Sequence, residues 1–137
     1  MKQKDFQKRD QIIFGKEIDW KNRGLPPGVC ERFDGLYAEG TRKLLALGFM
    51  ELSQTMNGTP TIESFLEFAS GMKQFDFKFE GFAFDPNFEK DRSVCLEGIY
   101  LREDYPPEIG LAFAKFVSGY QPDELSIEES FLRAWWD

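Results

Sequence analysis

The amino-acid sequence predicts an α+β fold, in which a central antiparallel β-hairpin carries about four helices packed mainly on one of its faces. Three observations support this prediction. Apolar and charged residues alternate over residues 75–80, which is strand periodicity, and a second β-rich run covers residues 93–102. A turn-forming sequence, Asp85-Pro86-Asn87, lies between the two runs. The segments on either side of this hairpin have mainly helical periodicity.

The composition indicates a single folded domain with an uneven distribution of charge. The 137 residues are 42% hydrophobic and 16% aromatic, which is more apolar content than disordered chains carry. Residues 1–24 contain seven basic and four acidic side chains, so the remainder must carry −10 to reach the total of −7. Glycine and proline at residues 24–28 interrupt both helix and strand. We therefore expect a basic N-terminal arm or frayed helix at residues 1–24 and one globular α+β domain at residues 25–137.

Phenylalanine is unusually frequent, with 15 residues in this short chain. Because the Phe ring has no polar group, we expect most of these rings to form the hydrophobic core. The alternative is that some of them line a pocket for an apolar ligand.

The chain contains no histidine. This excludes Ser-His-Asp and Cys-His catalysis, and it excludes every metal site built on imidazole. The two cysteines, Cys30 and Cys95, are far apart and form no CxxC motif, which argues against a zinc site. We expect neither a bound metal nor a cofactor.

The sequence favours a cytoplasmic protein. Its N-terminus lacks the apolar segment of a signal peptide, and no apolar run approaches the ~18 residues of a membrane span. We therefore expect Cys30 and Cys95 to be reduced, with a single disulfide as the alternative. No association with a membrane is expected.

Two segments between residues 29 and 56 lie ahead of the hairpin. Residues 29–47 carry an apolar stripe at helical spacing, which predicts a helix of about five turns. Gly40 lies on this stripe, where the missing side chain would let another element approach closely. Gly48 is placed to end the helix. Residues 49–56 fit either a helix or a third strand beside the hairpin.

Three more helices are predicted in the rest of the chain. One starts at Thr59-Pro60 or at Thr61 and ends at Gly71, and another is opened by Pro106-Pro107 and closed by Gly119. A last helix is predicted from Ser126, because Ser126 and Glu129 have the spacing of a capping box. Apolar residues then recur at every fourth position: Ile127, Phe131 and Trp135.

The register of the hairpin can be predicted by placing Phe84 opposite Ser93. One face is then apolar and should pack on the helices: Phe75, Phe77, Phe79, Ala83, Val94, Leu96 and Tyr100. On the other face, Glu80 lies opposite Glu97 beside apolar groups. Two facing carboxylates in such surroundings would have raised pKa values, which prepares them for acid–base chemistry or cation binding. A bulge at Gly81 would separate them.

Two ligand-binding patterns in the hairpin are incomplete. Gly81-Phe82-Ala83-Phe84 matches the centre of an RNA-binding RNP1 sequence, but Glu80 stands where a phosphate-binding cation is needed. Residues 85–91 place oxygen donors at alternate positions, as calcium loops do, but Leu96 stands where the bidentate glutamate is needed. Since an acidic body also repels phosphate, we expect no nucleic-acid partner.

These observations favour a non-catalytic protein–protein interaction or accessory module. It would bind a basic partner, as an inhibitor or immunity-like protein does, or it would self-associate. The alternative is a small-molecule-binding protein or carboxylate-based enzyme with a Phe-lined pocket; phosphate-binding loops and nucleophile elbows are missing from the sequence. The candidate interaction or pocket residues are Glu80, Phe82, Phe84, Glu97, Trp135 and Trp136. If the aromatic residues among them are exposed together they mark a recognition patch, and if they are buried together they are only part of the core.

Overall fold

The computed structural model describes residues 5–22, 30–87 and 93–137. Within these ranges the chain forms four α-helices and one five-stranded antiparallel sheet. In chain order the elements are α1 (Phe6–Phe14), a short 3₁₀ helix (Trp20–Asn22), β1 (Cys30–Leu36), α2 (Ala38–Ala46), α3 (Ile62–Gly71), β2 (Lys78–Phe84), β3 (Val94–Leu101), α4 (Pro107–Val117), β4 (Glu124–Glu128) and β5 (Phe131–Trp135). The strands lie in the order β1-β2-β3-β5-β4.

The predicted α+β class and the β2–β3 hairpin are confirmed, but the sheet is larger than a hairpin. Strands β2 and β3 occupy its centre, with β1 on one side and the β4–β5 hairpin on the other. Apolar side chains from all four helices join those on one face of the sheet in a single core. Among the described residues, no helix is long and apolar enough to cross a membrane.

The predicted long helix at residues 29–47 is wrong in its first half. Residue 29 lies outside the described residues, and Cys30–Leu36 is strand β1, which pairs with β2. Phe33 and Leu36 have a spacing that suits one face of a helix, and the same spacing arises here from a bulge between them. Pairing with β2 supplies backbone hydrogen bonds that local periodicity does not reveal.

The second half of this prediction is confirmed in α2, which ends at Ala46. Gly48 follows with φ of +85°, the left-handed conformation in which glycine ends helices. A Cβ atom at Gly40 would lie 2.8 Å from Leu36 Cδ1 and 3.4 Å from Ile12 Cγ2. The absence of a side chain at Gly40 therefore lets α1 and the end of β1 approach α2 closely.

Neither of the two alternatives for residues 49–56 is found, since this segment contains turns and forms neither a helix nor a third strand. Phe49 and Met50 are buried, and the Gln54 amide donates a 2.8 Å hydrogen bond to the Val94 carbonyl oxygen at the start of β3. The segment therefore packs against the sheet through side chains while β1 takes the position of the third strand.

The helix predicted from Ser126 is a β-hairpin instead. Ser126 lies in β4 and Glu129 in the turn, where Ser130 has a left-handed φ of +59°. Strand β5 pairs with both β4 and β3, so each of its peptide groups can be satisfied on one side or the other. The capping-box pattern is a local signal, and this tertiary pairing overrides it.

Helices α3 and α4 confirm their predictions. The Thr61 hydroxyl accepts a hydrogen bond from the Ser64 N–H at the start of α3, and α4 begins at Pro107. Between these helices and the sheet, five phenylalanine rings stack or meet edge to face at centroid distances of 4.5–6.1 Å: Phe65, Phe68, Phe77, Phe113 and Phe116. These rings form a large part of the core.

Helix α1 carries a buried charge, Arg9, whose Nη1 donates a 3.4 Å hydrogen bond to the Ser93 carbonyl oxygen just before β3. The Arg9 side chain is fully buried, and its guanidinium group lies 4.8 Å from the Phe6 ring centroid and 5.5 Å from that of Trp20. Its Nη2 lies 2.9 Å from Asp10 Oδ1, and the Trp20 indole donates a 2.8 Å hydrogen bond to Asp10 Oδ2. Burial lowers the pKa of Arg9, and Asp10 opposes this shift.

Candidate functional site

The predicted register of the central hairpin holds only as far as Gly81. Ala83 pairs with Val94 and Gly81 with Leu96, as expected, but Glu80 then pairs with Gly98. Glu97 is the extra residue of a β-bulge on β3. The predicted pairing of Glu80 with Glu97 is therefore wrong.

Gly81 lies directly beside this bulge. A Cβ atom at Gly81 would overlap the Cys95 carbonyl oxygen, and it would lie 2.9 Å from the Phe33 ring. Only glycine lets the backbones of β2 and β3 approach so closely. The sequence interpretation named a bulge at Gly81 as the feature that would move Glu80 out of register with Glu97.

The bulge also changes which residues of β3 face the core. Val94 and Leu96 are core residues, but beyond the bulge the core residues are Ile99 and Leu101. Tyr100, predicted on the core face, lies outside the core cluster. Its hydroxyl donates a hydrogen bond to the Asp34 carbonyl oxygen, which ties β3 to the bulged part of β1.

The face of the sheet opposite the helices carries a linked set of ion pairs. Arg133 on β5 donates two hydrogen bonds to Glu80, from Nε at 2.8 Å and Nη2 at 2.9 Å, and a third of 2.8 Å from Nη1 to Glu124. The hydrogen bonds to Glu80 raise the pKa of Arg133, whereas partial burial opposes the rise. Arg133 is thus held as a fixed cation between two carboxylates.

The second ion pair joins Arg32 on β1 to Glu97 in the bulge. Arg32 Nη1 donates a hydrogen bond to Glu97 Oε1. The two partners differ greatly in exposure, because the Glu97 side chain is 3% exposed and that of Arg32 is 63% exposed.

These residues surround an open cleft of about 340 Å³, which we call the Glu97 cleft. It is lined by Arg32, Phe33, Asp34, Glu80, Glu97, Arg133 and Trp135. A neighbouring cleft of about 280 Å³ shares Asp34, Glu80 and Arg133 with it and adds Tyr100, Arg102, Ser126 and Phe131. Together they form one groove across the open face of the sheet, the sheet-face groove.

Aromatic rings and guanidinium groups alternate along the sheet-face groove. The Arg102 guanidinium lies 4.9 Å from the Phe131 ring centroid and 5.3 Å from that of Tyr100. The Arg133 guanidinium lies 5.5 Å from the Trp135 ring centroid. Cation–π contacts of this kind hold both partners in defined positions.

The residues proposed from sequence are divided between two environments. Glu80, Glu97 and Trp135 line the Glu97 cleft. Phe82 is 7% exposed, and its ring meets the half-buried Phe84 edge to face at a centroid distance of 5.0 Å. Trp136 is 1% exposed, belongs to the core and donates a 2.9 Å hydrogen bond to the Tyr120 carbonyl oxygen. The aromatic residues therefore do not form one exposed patch.

Sequence reasoning missed the cations of this site: Arg32, Arg102 and Arg133. One signal was available, because the apolar residues of β3 at positions 94, 96, 99 and 101 skip a residue at 97–98. That skip is typical of a β-bulge and predicts that Glu97 leaves the regular alternation. Arg32 carried no comparable signal, since its segment has helical spacing.

A larger cleft of about 520 Å³ lies between the start of α2 and the end of α3. Its charged side chains, which include Arg42 and Lys73, are exposed. Arg42 donates a hydrogen bond to the Ser70 hydroxyl, and no buried charged group lines this cleft in the described structure. The sheet-face groove is therefore the better-organised candidate.

No protein-family model, no curated protein sequence and no solved structure matches this chain. A function must therefore be argued from the chain's own residues.

Proposed function

We propose that this protein is a non-catalytic binding module whose sheet-face groove docks a basic protein partner, as an inhibitor or immunity-like protein does. The observation that carries the proposal is the set of fixed Arg–Glu pairs and aromatic rings on a sheet face that no described helix covers. Tryptophan, tyrosine and arginine dominate the binding energy of protein interfaces.

Rigid placement of the groove residues supports this role. Arg133 makes hydrogen bonds through all three of its guanidinium nitrogens, and Tyr100 is tied to β1 through its hydroxyl. Side chains that are already ordered lose little conformational entropy when a partner docks. Strands also position such residues more precisely than loops do.

The charge distribution favours a basic partner over a second copy of this chain. Residues 103–137, which include β4 and β5, contain eight acidic and two basic side chains, a net charge of −6. An acidic chain attracts a basic partner and accelerates its association, while the charged side chains that line the sheet-face groove itself are balanced, three carboxylates against three guanidinium groups. Two copies of a chain with a net charge of −7 repel each other, which disfavours self-association.

The competing small-molecule or carboxylate-enzyme function has less support. It depended on Glu80 lying directly opposite Glu97, whereas Glu80 pairs with Gly98 and each glutamate is bound to its own arginine. It also depended on a Phe-lined pocket, whereas the Phe rings pack against one another in the core. Cys30 on β1 and Cys95 on β3 are not joined in a disulfide.

Affinity capture with matched variants tests the proposal. The bait is the purified full chain, compared with Trp135→Ala in the groove and with Leu111→Ala, which removes an exposed side chain from α4. We expect a basic protein, identified by mass spectrometry, to bind the wild type and Leu111→Ala but not Trp135→Ala. Equal retention by all three baits, or a homodimer in light scattering that Trp135→Ala disrupts, would contradict the proposed partner.

A further inference from the structure

We propose that the Glu97 cleft receives a guanidinium or ammonium group from the basic partner, and that this group replaces Arg32 on the Glu97 carboxylate. This inference rests on the proposed function and deepens it, because it names the chemical group that the partner inserts. Arg32 is then an internal stand-in that occupies the acceptor until the partner docks.

The unequal exposure of the ion pair is the first argument. Glu97 is 3% exposed, and Arg32 is the only described residue that bonds its carboxylate. A buried carboxylate requires a cation, since leaving it without one is strongly unfavourable. Arg32 is 63% exposed and lies on edge strand β1, so its guanidinium regains full hydration when it leaves. The pair therefore holds Glu97 ready for exchange with another cation.

The walls of the cleft provide the second argument. Trp135 lines the cleft, and an indole face is the preferred aromatic surface for a guanidinium or ammonium group. A Cβ atom at Gly98 would lie 3.2 Å from both Trp135 Cδ1 and Glu80 Oε2. The absence of a side chain at Gly98 thus leaves space for the Trp135 indole beside the Glu80 carboxylate. A volume of about 340 Å³ also lies within the usual range of ligand pockets.

The charge balance selects a cation over an anion. The cleft is lined by three carboxylates, Asp34, Glu80 and Glu97, and by two guanidinium groups, Arg32 and Arg133. Arg133 already donates from Nε and both terminal nitrogens to Glu80 and Glu124, so two carboxylates balance its charge and it offers little net attraction to an anionic ligand. When Arg32 swings out, the lining becomes more negative and favours an incoming cation.

The test uses a single cationic group in place of the partner. Nα-acetyl-arginine amide is titrated into the full chain and followed by the NMR signal of the Trp135 indole N–H. Nα-acetyl-citrulline amide, which is neutral and similar in shape, is the ligand control. The variants are Arg32→Ala, which removes the stand-in, and Glu97→Gln, which removes the acceptor charge. Arg42→Ala and Glu67→Gln are the matched controls, since both residues are exposed and lie outside the Glu97 cleft.

We expect Arg32→Ala to bind the arginine probe about ten-fold more tightly than the wild type, since the buried carboxylate has lost its competing cation. Glu97→Gln should bind it no better than the wild type binds the citrulline probe. Unchanged affinity in Arg32→Ala, or undiminished binding by Glu97→Gln, would overturn the inference. If Arg32→Ala does not fold, Glu97→Gln decides alone, because it keeps the shape of the side chain.

This experiment does not require the partner and is therefore independent of the capture experiment. If a basic protein binds the wild type but not Trp135→Ala while the arginine probe fails, the proposed function stands and the cation-exchange inference falls. If the probe binds as expected but no basic protein is captured, the Glu97 cleft is a cation site and the proposed function falls.

Discussion

Glu97, a buried carboxylate in the bulge of the central strand β3, is ion-paired with Arg32, an exposed residue of the edge strand β1. The two residues are 65 positions apart in the sequence. Their pairing places an acceptor inside the sheet and its cation at the surface, and this asymmetry leads to the first prediction.

Removing the two partners of this pair should have unequal effects on stability. Arg32→Ala leaves a buried charge without a partner and should lower the free energy of unfolding by about 1–3 kcal/mol. Glu97→Gln removes the buried charge and leaves an exposed arginine, so it should cost less than about 1 kcal/mol. Urea unfolding of the two variants measures the difference. Equal losses would show that Glu97 is already well hydrated.

Gly81→Ala should destabilise the protein strongly. Its Cβ atom would overlap the carbonyl oxygen of Cys95, and β2 and β3 must separate to accommodate it. We expect a loss of about 3 kcal/mol or more in thermal or urea unfolding, at the upper end of what overpacked core sites cost, because the added atom would overlap backbone. Gly71→Ala is the control, because a Cβ at Gly71 meets no atom within 4 Å at the end of α3. That variant should be neutral or slightly stabilising, and a comparable loss there would refute the steric explanation.

The two neighbouring tryptophans should separate stability from binding. Trp136 is buried in the core, so Trp136→Ala should lower the free energy of unfolding by about 3–5 kcal/mol. Trp135 lines the Glu97 cleft and is only half-buried, so Trp135→Ala should cost about 1–2 kcal/mol and abolish partner capture. Chemical unfolding of both variants measures these costs. The opposite ranking would mean that Trp135 contributes more to the free energy of unfolding than Trp136 does.

Breaking the buried pair in α1 should be more harmful than removing both of its charges. Asp10→Ala leaves the fully buried Arg9 without its carboxylate and should cost about 3–5 kcal/mol. The double variant Arg9→Met/Asp10→Asn leaves no charge at this site and keeps an apolar side chain among the rings of Phe6 and Trp20, so it should cost less. Urea unfolding measures both values. If the double variant is the more damaging one, the ion pair and the cation–π contacts of Arg9 outweigh its desolvation.

Tyr100 should make the protein sensitive to alkaline pH. Burial raises the pKa of Tyr100 above its ordinary value of 10.0, and the carboxylate of Asp34 adds to the rise. The folded state holds the Tyr100 proton more tightly than the unfolded state does. The stability that this difference contributes is therefore fully present below pH 10 and is lost as the pH rises through the folded-state pKa. The free energy of unfolding should therefore fall less steeply above about pH 10 in Tyr100→Phe than in the wild type. Tyr120→Phe, at an exposed position, should retain the wild-type slope, and identical slopes in all three proteins would contradict the prediction.

The parts of the fold that were predictable are those in which local and tertiary signals agree. In α3, Phe65, Leu66 and Ala69 lie on one helical face and are all buried against the core. At the start of β2 and just before it, Phe79 and Phe77 alternate with charged residues and are buried in the same way. The spacing of apolar residues is sufficient to predict the secondary structure of a segment where it fits only one periodicity and one face of the segment is buried.

Prediction failed where the same spacing suits two structures. Phe33 and Leu36 lie three positions apart both on a helical face and across the bulge of β1. Ser126 and Glu129 have capping-box spacing, yet they belong to a strand and a turn because β5 pairs with β3. In each case the deciding backbone hydrogen bonds come from a strand that is distant in sequence.

The sequence by itself determined the α+β class, the central hairpin, the Phe-rich core and the acidic C-terminal part, because composition and short-range periodicity are sufficient for these. It also placed Glu80, Glu97 and Trp135 among the candidate residues. Only the tertiary structure decided that Glu80 is bound to Arg133 and Glu97 to Arg32, because one bulged residue shifts the register and brings together side chains from four strands.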